Sequence, residues 1–535
     1  MSDPNRKQPS LRGLWLAAAL VLAFGLGAYS SRGPMLFKGT SFERFDGVLQ
    51  EVLNTYVDKP DLEKLEAGAI EGMLKSLDPH SVYIPPRDQV RISEELDGEF
   101  TGIGIQFDLQ DDGIVVVSPI PGTPAARLGM RAGDRIIAIE GVSTFGITNQ
   151  DVIDKLRGPK GTQVTVTVKR PTEREPFDLT ITRGKIPIHS VEAAFMLADG
   201  KTGYVMINQF TSVTADELEL ALKTLESRGM EALLLDLRGN SGGYLGQADE
   251  VADRFIEGGL VIVTTDGRAR GTDSIRRASD SATRPYYPVI VLVNSGSASA
   301  SEIVSGAIQD HDRGLVVGEP TFGKGLVQQP LQLDDGAVVR LTTSRWFTPS
   351  GRCVQRPYGE TLGEYYNNAL EQDTSNVEIP DTAEVFLTRT GRKVYGWRGI
   401  QPDYIVDPGS LSELGSKLVR QRVLINWARD YAEDLKMLDM PFARFRDEWV
   451  LSASGVRDLR RYAEKEGIKW DEAQWREDRS FLLTQVKAEI AQRVYNGRDY
   501  LWQILVTDDA QIDEALRRIE EADSLARTPS EDARG

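Results

Sequence analysis

The chain holds a single cysteine, Cys353, among 535 residues, which excludes an internal disulfide and any zinc site built from several thiolates. Histidine is nearly as scarce. His80, His189 and His311 are scattered and show none of the paired spacing of a metalloprotease helix, so neither a metal nor a cofactor is expected. Basic charge is in deficit too: 63 Lys and Arg against 80 Asp and Glu leave a net charge of −17. A phosphate-backbone partner needs concentrated basic charge, so nucleic-acid binding is not expected. Internal repeats are absent. One long uncharged stretch is present, from Leu14 to Tyr29, and it follows Arg6, Lys7 and Arg12. A basic flank before an apolar stretch marks export. Residues 1–32 are therefore expected to be a signal peptide, cleaved near Ala28-Tyr29-Ser30, or an uncleaved anchor that places the remainder on the periplasmic side of the inner membrane.

A chain this long exceeds a single core and divides into several domains. Residues 36–92 read as amphipathic helices ending at the breaker-rich LDPHSVYIPP. Residues 93–187 change to short β-runs punctuated by Gly, Pro and Asp-Asp-Gly turns. Within them TNQDVIDKLRG forms a short helix with Val152, Ile153 and Leu156 on one face. From 188 to 408 the strand candidates TGYVMIN, ALLLDLR, LVIVT, PVIVLV and LVVGEP alternate with helices, one of them opened by a Thr214…Glu217 capping box. That alternation predicts a parallel sheet covered on both faces. Residues 358–385 read as a polar, irregular surface excursion. Residues 409–525 are rich in Leu, Arg, Glu, Trp and Ala at helical spacing and predict an α-helical extension, and 526–535 a disordered tail.

Chemistry concentrates in NSGSASASEIVSGAIQDH, residues 294–311, directly after the apolar strand PVIVLV. A serine hydroxyl becomes a nucleophile only with a base in hydrogen-bond reach. His311 and Asp310 suggest a triad, but on one helix His311 lies about 18 Å from Ser299 and about 120° away around the axis. His311 is then a solvated helix-end residue. Ser299-Ala300-Ser301-Glu302 also reads as a capping box, so a cap and a nucleophile stand side by side as readings of Ser299. A nucleophile there finds free backbone N–H groups able to hold an oxyanion. The candidate base is Lys324 in GEPTFGKGLVQQ. Its amine is useful at neutral pH only if apolar neighbours lower its pKa by about 3 units, roughly 4 kcal/mol. Ser–Lys pairs are an established variant of serine hydrolysis. DLRGNSGG, residues 236–243, supplies a strand running into a Gly-rich loop that can present N–H groups.

These motifs resemble the C-terminal processing peptidases, or tail-specific serine proteases, over roughly residues 40–405. The resemblance rests on SASASE at 297–302, GEPTFGKG at 318–325 with Gln328 four beyond the lysine, DLRGNSGG, TPSGR at 348–352 and LDPHSVY at 77–83. It implies an α/β, crotonase-like protease core with an inserted, mostly-β PDZ domain. Ser299 becomes the nucleophile, Lys324 the general base and Gln328 the residue that orients it. The backbone N–H groups of Ala300 and of Gly242 or Gly243 form the oxyanion hole. Asp310, about 16 Å along the helix from Ser299, gives secondary support. Ser241 departs from the family's usual proline. In the PDZ domain, Ile103, Gly104 and Ile105 would hold a substrate's C-terminal carboxylate by their backbone amides, with Val152 and Leu156 lining the side-chain pocket. Arg131 is either part of a PDZ-driven switch or a surface arginine. The resemblance implies as partners proteins or peptides with exposed apolar C-termini. The extension from 411 to 525 would serve a homo-oligomer or an adaptor. An inactive PDZ scaffold is the alternative from another class.

Overall fold

The computed structural model describes residues 41–110, 113–280, 284, 286–359, 361–370, 383–435 and 440–528. The predicted export segment 1–32 lies outside the described residues, as does the predicted tail from residue 529 on. Ala526, by contrast, still closes the helix Ile519–Ala526. Among the described residues no helix is long and apolar enough to cross a membrane.

Residues up to Ser76 form one compact unit and Leu77 onward a second. The first contains the helices Ser41–Thr55 and Leu62–Lys75, the latter capped by the Asp61 carboxylate on the N–H of Lys64. The second unit opens with LDPHSVYIPP. That stretch does not simply end a helical region: Val82–Ile84 is a strand paired antiparallel with the strand Val338–Phe347, and Pro86 starts the helix Pro86–Asp97. Proline breaks a helix interior but suits the first turn, where its missing N–H leaves no bond unmade.

The central sheet is mixed. Val191–Met196 pairs antiparallel with Thr202–Ile207, after which Ala232–Asp236, Val289–Val293, Leu315–Gly318 and Tyr404–Ile405 follow in parallel. Ala232–Asp236 and Val289–Val293 are buried throughout, as expected for parallel strands covered on both faces. One predicted strand goes elsewhere. LVIVT becomes Val261–Asp266 in a separate antiparallel sheet with Ser274–Arg277 and the long strand Val338–Phe347, which also pairs with Leu326–Gln332. A short apolar run specifies burial but not its partner. The predicted Thr214…Glu217 capping box does not form either. Thr214 is already helical, and the Glu217 carboxylate accepts from the backbone N–H groups of Ser190 and Val191.

Residues 99–187 carry the five-strand path Ile105–Gln110, Gly113–Pro119, Arg135–Ile139, Gln163–Lys169 and Phe177–Thr182, with the helix Asn149–Leu156. Ile105–Gln110 sits at the edge of this sheet. The C-terminal region is helical, and it divides. Helices from Glu413 to Leu505 enclose a core of their own around Trp427, Phe445 and Leu482. The last two pack Ile512, Ala515 and Ala522 against Leu234, Ile290 and Leu292 of the central sheet. The predicted irregular excursion at 358–385 also contains structure, the helix Leu362–Leu370 with Tyr365 buried.

Candidate active site

The strand Val289–Val293 leaves the central sheet and turns sharply into the helix Ala300–Asp310, every residue of which is buried. Ser299 sits at that turn with φ 55° and ψ −108°. A non-glycine residue there costs about 1–3 kcal/mol and persists only where its surroundings enforce it. Such a strained strand-to-helix turn is the device that lifts a nucleophilic serine out of a sheet. Ser299 is partly exposed between the buried Ala298 and Ala300.

Glu302 enforces the geometry. Its fully buried carboxylate accepts from the N–H groups of Ser299 (2.7 Å), Gly323 (2.8 Å) and Lys324 (2.9 Å) and from the Thr321 hydroxyl (2.6 Å). Burial pushes this carboxyl above its usual range while the four donors pull it down. Ser299 N–H and Lys324 N–H share the same Oε2 atom, so one buried oxygen ties the turn of SASASE to the loop of FGKG. Sequence spacing displayed Glu302 only as half of a capping box. Ser301 adds a second tie, donating from its hydroxyl to the Asn240 carbonyl at 2.8 Å.

The Lys324 amine donates to Gln328 Oε1 at 3.0 Å. Burial first, and then the Arg340 cation, lower its pKa from 10.5 to about 8. Gln328 is itself oriented, because its Nε2 donates to the carbonyl of His80. A carbonyl only accepts, so the amide must turn its own oxygen toward the lysine. His80 is locked in turn. Asp78 accepts from its N–H at 2.8 Å, and its Nε2 bonds the Tyr365 hydroxyl at 2.8 Å. Burial, followed by the Lys324 cation, lowers the imidazole pKa to about 4, so it is neutral near pH 7. Tyr365 also accepts from Gln355 Nε2 at 3.2 Å, and Gln355 Oε1 accepts from the N–H of Gly325 at 2.9 Å. A closed chain of contacts thus surrounds Lys324, assembled from LDPHS, FGKG with Gln328, Gln355 and the helix Leu362–Leu370.

The glycine pair of DLRGNSGG comes up to the serine turn at Gly242. A side chain at residue 242 would come within 2.9 Å of Ser299 Cβ and 3.1 Å of Ala300 N, and φ is +102°. The Gly242 N–H is already committed to Asn240 Oδ1 at 2.9 Å. Neither Gly243 N–H nor Ala300 N–H meets an acceptor among the described residues. Gly243 is exposed and its backbone runs against Phe210. Donor accounting therefore separates the two glycines, which spacing alone leaves equivalent.

Asp310 stands at the far end of the helix from Ser299. It is 3% exposed, pairs with the buried Arg352 at 2.7 Å and accepts from Ser350 N–H at 3.0 Å, fixing the TPSGR turn. His311 is not solvated as expected. It is half-buried, and its Nε2 donates to the Val261 carbonyl at 2.6 Å.

In the β-module, Gly104 has φ +83°, and a Cβ there would strike Thr123 Cβ at 2.3 Å. Thr123 in turn donates to the Gly104 carbonyl at 3.0 Å, shaping the loop before the edge strand. Ile103 is buried in the module's core and Ile105 opens the edge strand. Val152 and Leu156, expected to line a pocket, are 0% and 5% exposed and pack in the module's core. Arg131 is exposed, and the structure does not bring it to Ser299; its backbone N–H donates to Asp134.

A strained serine at a helix start, a desolvated lysine on the loop tied to it through Glu302, and unpaired N–H groups at Ala300 and Gly243 suit a serine peptidase core, here joined to a β-module. Comparison with known proteins agrees. Residues 201–361 match peptidase family S41, 115–170 a PDZ domain, 30–87 the N-terminal domain of the activating protease CtpB, and 415–496 a family of unknown function. A carboxy-terminal-processing protease of Bartonella bacilliformis is 41% identical over 316 residues, 58% of this chain and 72% of that one. The carboxy-terminal processing protease CtpB of Bacillus subtilis is 36% identical over 318 residues, 59% of this chain and 66% of that one. Among solved structures, a photosystem II D1 C-terminal processing protease is 29% identical with a TM-score of 0.37, covering 70% of this chain and 89% of that one. The chain belongs to the carboxy-terminal-processing proteases, PDZ-bearing serine peptidases of family S41.

Proposed function

We propose that this protein is an exported endopeptidase that captures the C-terminal tails of unfolded or partly disordered proteins and cuts them with Ser299 and Lys324. The observation that carries the reading is the shared Glu302 oxygen, which holds the strained serine turn and the lysine loop together. Neutral Lys324 accepts the Ser299 proton as Oγ attacks the scissile carbonyl. The N–H groups of Ala300 and Gly243 receive the oxyanion, in line with their lack of other acceptors. The lysinium then returns its proton to the leaving amine, and water, deprotonated by the same lysine, releases the acyl group. Gln328 keeps the amine aimed through its bond to His80. A tail adds as a strand beside Ile105–Gln110, its carboxylate on the amides of Ile103, Gly104 and Ile105.

The test uses residues 33–535 and a disordered protein with an apolar C-terminus, followed by mass spectrometry beside Ser299→Ala and Lys324→Ala. Cleavage by the unsubstituted protein alone supports the pair. Activity retained in Ser299→Ala would move the nucleophile elsewhere, and tail binding without cleavage by any form would favour a scaffold.

A further inference from the structure

The protein carries a large excess of acid, yet near Lys324 stand arginines that form no ion pair among the described residues, Arg356 and Arg340. Arg356 is 4% exposed. Its Nη1 is buried without a hydrogen-bond partner, and it forms no ion pair among the described residues. A guanidinium left unpaired in the interior is costly, on the scale of a broken buried ion pair, and buried cations are ordinarily paired. Its place in the fold is well defined. The Arg356 N–H donates to the carbonyl of Gly323 at 3.0 Å, directly before Lys324. Its guanidinium lies 5.3 Å from the ring centre of Phe322. Phe322 donates its N–H to Ser297 at 2.9 Å and packs with Ala298 and Tyr365, so Arg356 stands on both the serine and the lysine loops.

Two further arginines lie in this region, Arg398 close enough to act on the Arg356 charge and Arg340 on that of Lys324. Arg340 is two residues from Thr342 on the same face of its strand, and Thr342 stands opposite Gln328. Arg398 is exposed beside Gly399, whose N–H donates to Val354 at 2.9 Å. Neither arginine forms an ion pair among the described residues. The nearby carboxylates are already engaged: Glu302 by four donors, Asp78 by His80, Ser81 and Thr342.

We propose that Arg356, with Arg398 nearby, is a subsite for a carboxylate of the substrate chain beside the scissile bond. This rests on the reading of Ser299 and Lys324 as the catalytic pair. A planar guanidinium fork with an aromatic ring beneath it suits a carboxylate better than an amide. The carboxylate is either an Asp or Glu side chain near the cut or a free α-carboxylate a few residues beyond it. In both cases the protease is selective for acid at the site of cutting, in addition to any choice made by the PDZ domain.

Binding to the Ser299→Ala protein tests this without requiring catalysis, so a failed catalytic reading leaves it decidable. Fluorescence anisotropy compares C-terminally amidated peptides that differ only in Glu or Gln; amidation removes the PDZ contribution. The Glu peptide is expected to bind about tenfold tighter or more. Adding Arg356→Gln should bring the ratio near one, while Arg356→Lys keeps part of it. Arg398→Gln, at an exposed position that does not endanger folding, should lower the ratio about twofold to threefold. A second pair, free-acid and amide forms of a peptide with no acidic side chain, separates the sources. A preference abolished by Arg356→Gln assigns the α-carboxylate to the subsite, and one that survives belongs to the PDZ domain. Ratios unchanged by Arg356→Gln in both pairs, with Arg398→Gln equally silent, would overturn the proposal.

Discussion

Replacing Lys324 by methionine should inactivate the protein and at the same time stabilise it at neutral pH. The ammonium is disfavoured by burial and by Arg340, and its pKa falls from 10.5 to about 8. That difference raises the neutral fraction at pH 7 about 300-fold and corresponds to roughly 3 kcal/mol held against the charged form. Methionine keeps the length and apolar stem without the charge. Against the gain stands Gln328, whose Oε1 loses its 3.0 Å donor, at about 1 kcal/mol. The net expectation is about 2 kcal/mol of added stability at pH 7, a rise in Tm of several degrees. The sign follows from proton counting. Between pH 8 and 10.5 the unfolded chain keeps a proton on this lysine that the folded chain has lost, so wild-type stability rises with pH over that window. The advantage of the variant must shrink over the same window and reverse above it, where only the lost Gln328 bond remains. Scanning calorimetry of both proteins at pH 7, 9 and 10.5 reads this directly. A variant no more stable at pH 7, or a difference independent of pH, would refute the idea that burial of the charged lysine costs stability.

The remaining predictions concern other parts of the site. In wild type, kcat/KM should rise about tenfold per pH unit on the acid side and level off near pH 8, because the active form carries the neutral amine; a rise complete by pH 6.5 would point to another base. Ser299→Gly should be inactive yet more stable than Ser299→Ala by about 1–3 kcal/mol, since only glycine relieves φ 55°; equal melting temperatures would mean the turn is unstrained. Asp310→Asn breaks the buried pair with Arg352 and should lower stability by about 3–5 kcal/mol. In the protein that remains folded, the pH profile should be unmoved, which distinguishes a structural Asp310 from a catalytic one.

Much of the site was legible because its parts are short motifs with fixed chemistry. SASASE, FGKG and DLRGNSGG identify a serine, a lysine and a Gly-rich loop before any fold is known. What spacing conceals is which backbone groups are free. Gly242 and Gly243 look alike in sequence, and only the Asn240 bond to Gly242 N–H tells them apart. Glu302 read as a helix cap because its partners at 321–324 are remote in sequence. The role of LDPHS was hidden for the same reason, since it acts through the His80 carbonyl, which no side-chain pattern encodes. Tyr365 lay in a stretch dismissed for its polarity, yet it closes the contacts around the lysine. In the fold, the run LVIVT declared burial but not its sheet, and Val152 and Leu156 declared a helix face but not that the face would be fully enclosed.

The central claim is that Ser299 forms the covalent bond. Its most direct test is to mix the protein with an activated peptide ester, quench with acid within the first turnover and locate the acyl group by peptide mapping. The acyl mass is expected on the fragment bearing Ser299, absent in Ser299→Ala and sharply reduced in Lys324→Met. Turnover with the acyl group on another residue, or an equal yield from Ser299→Ala, would contradict it.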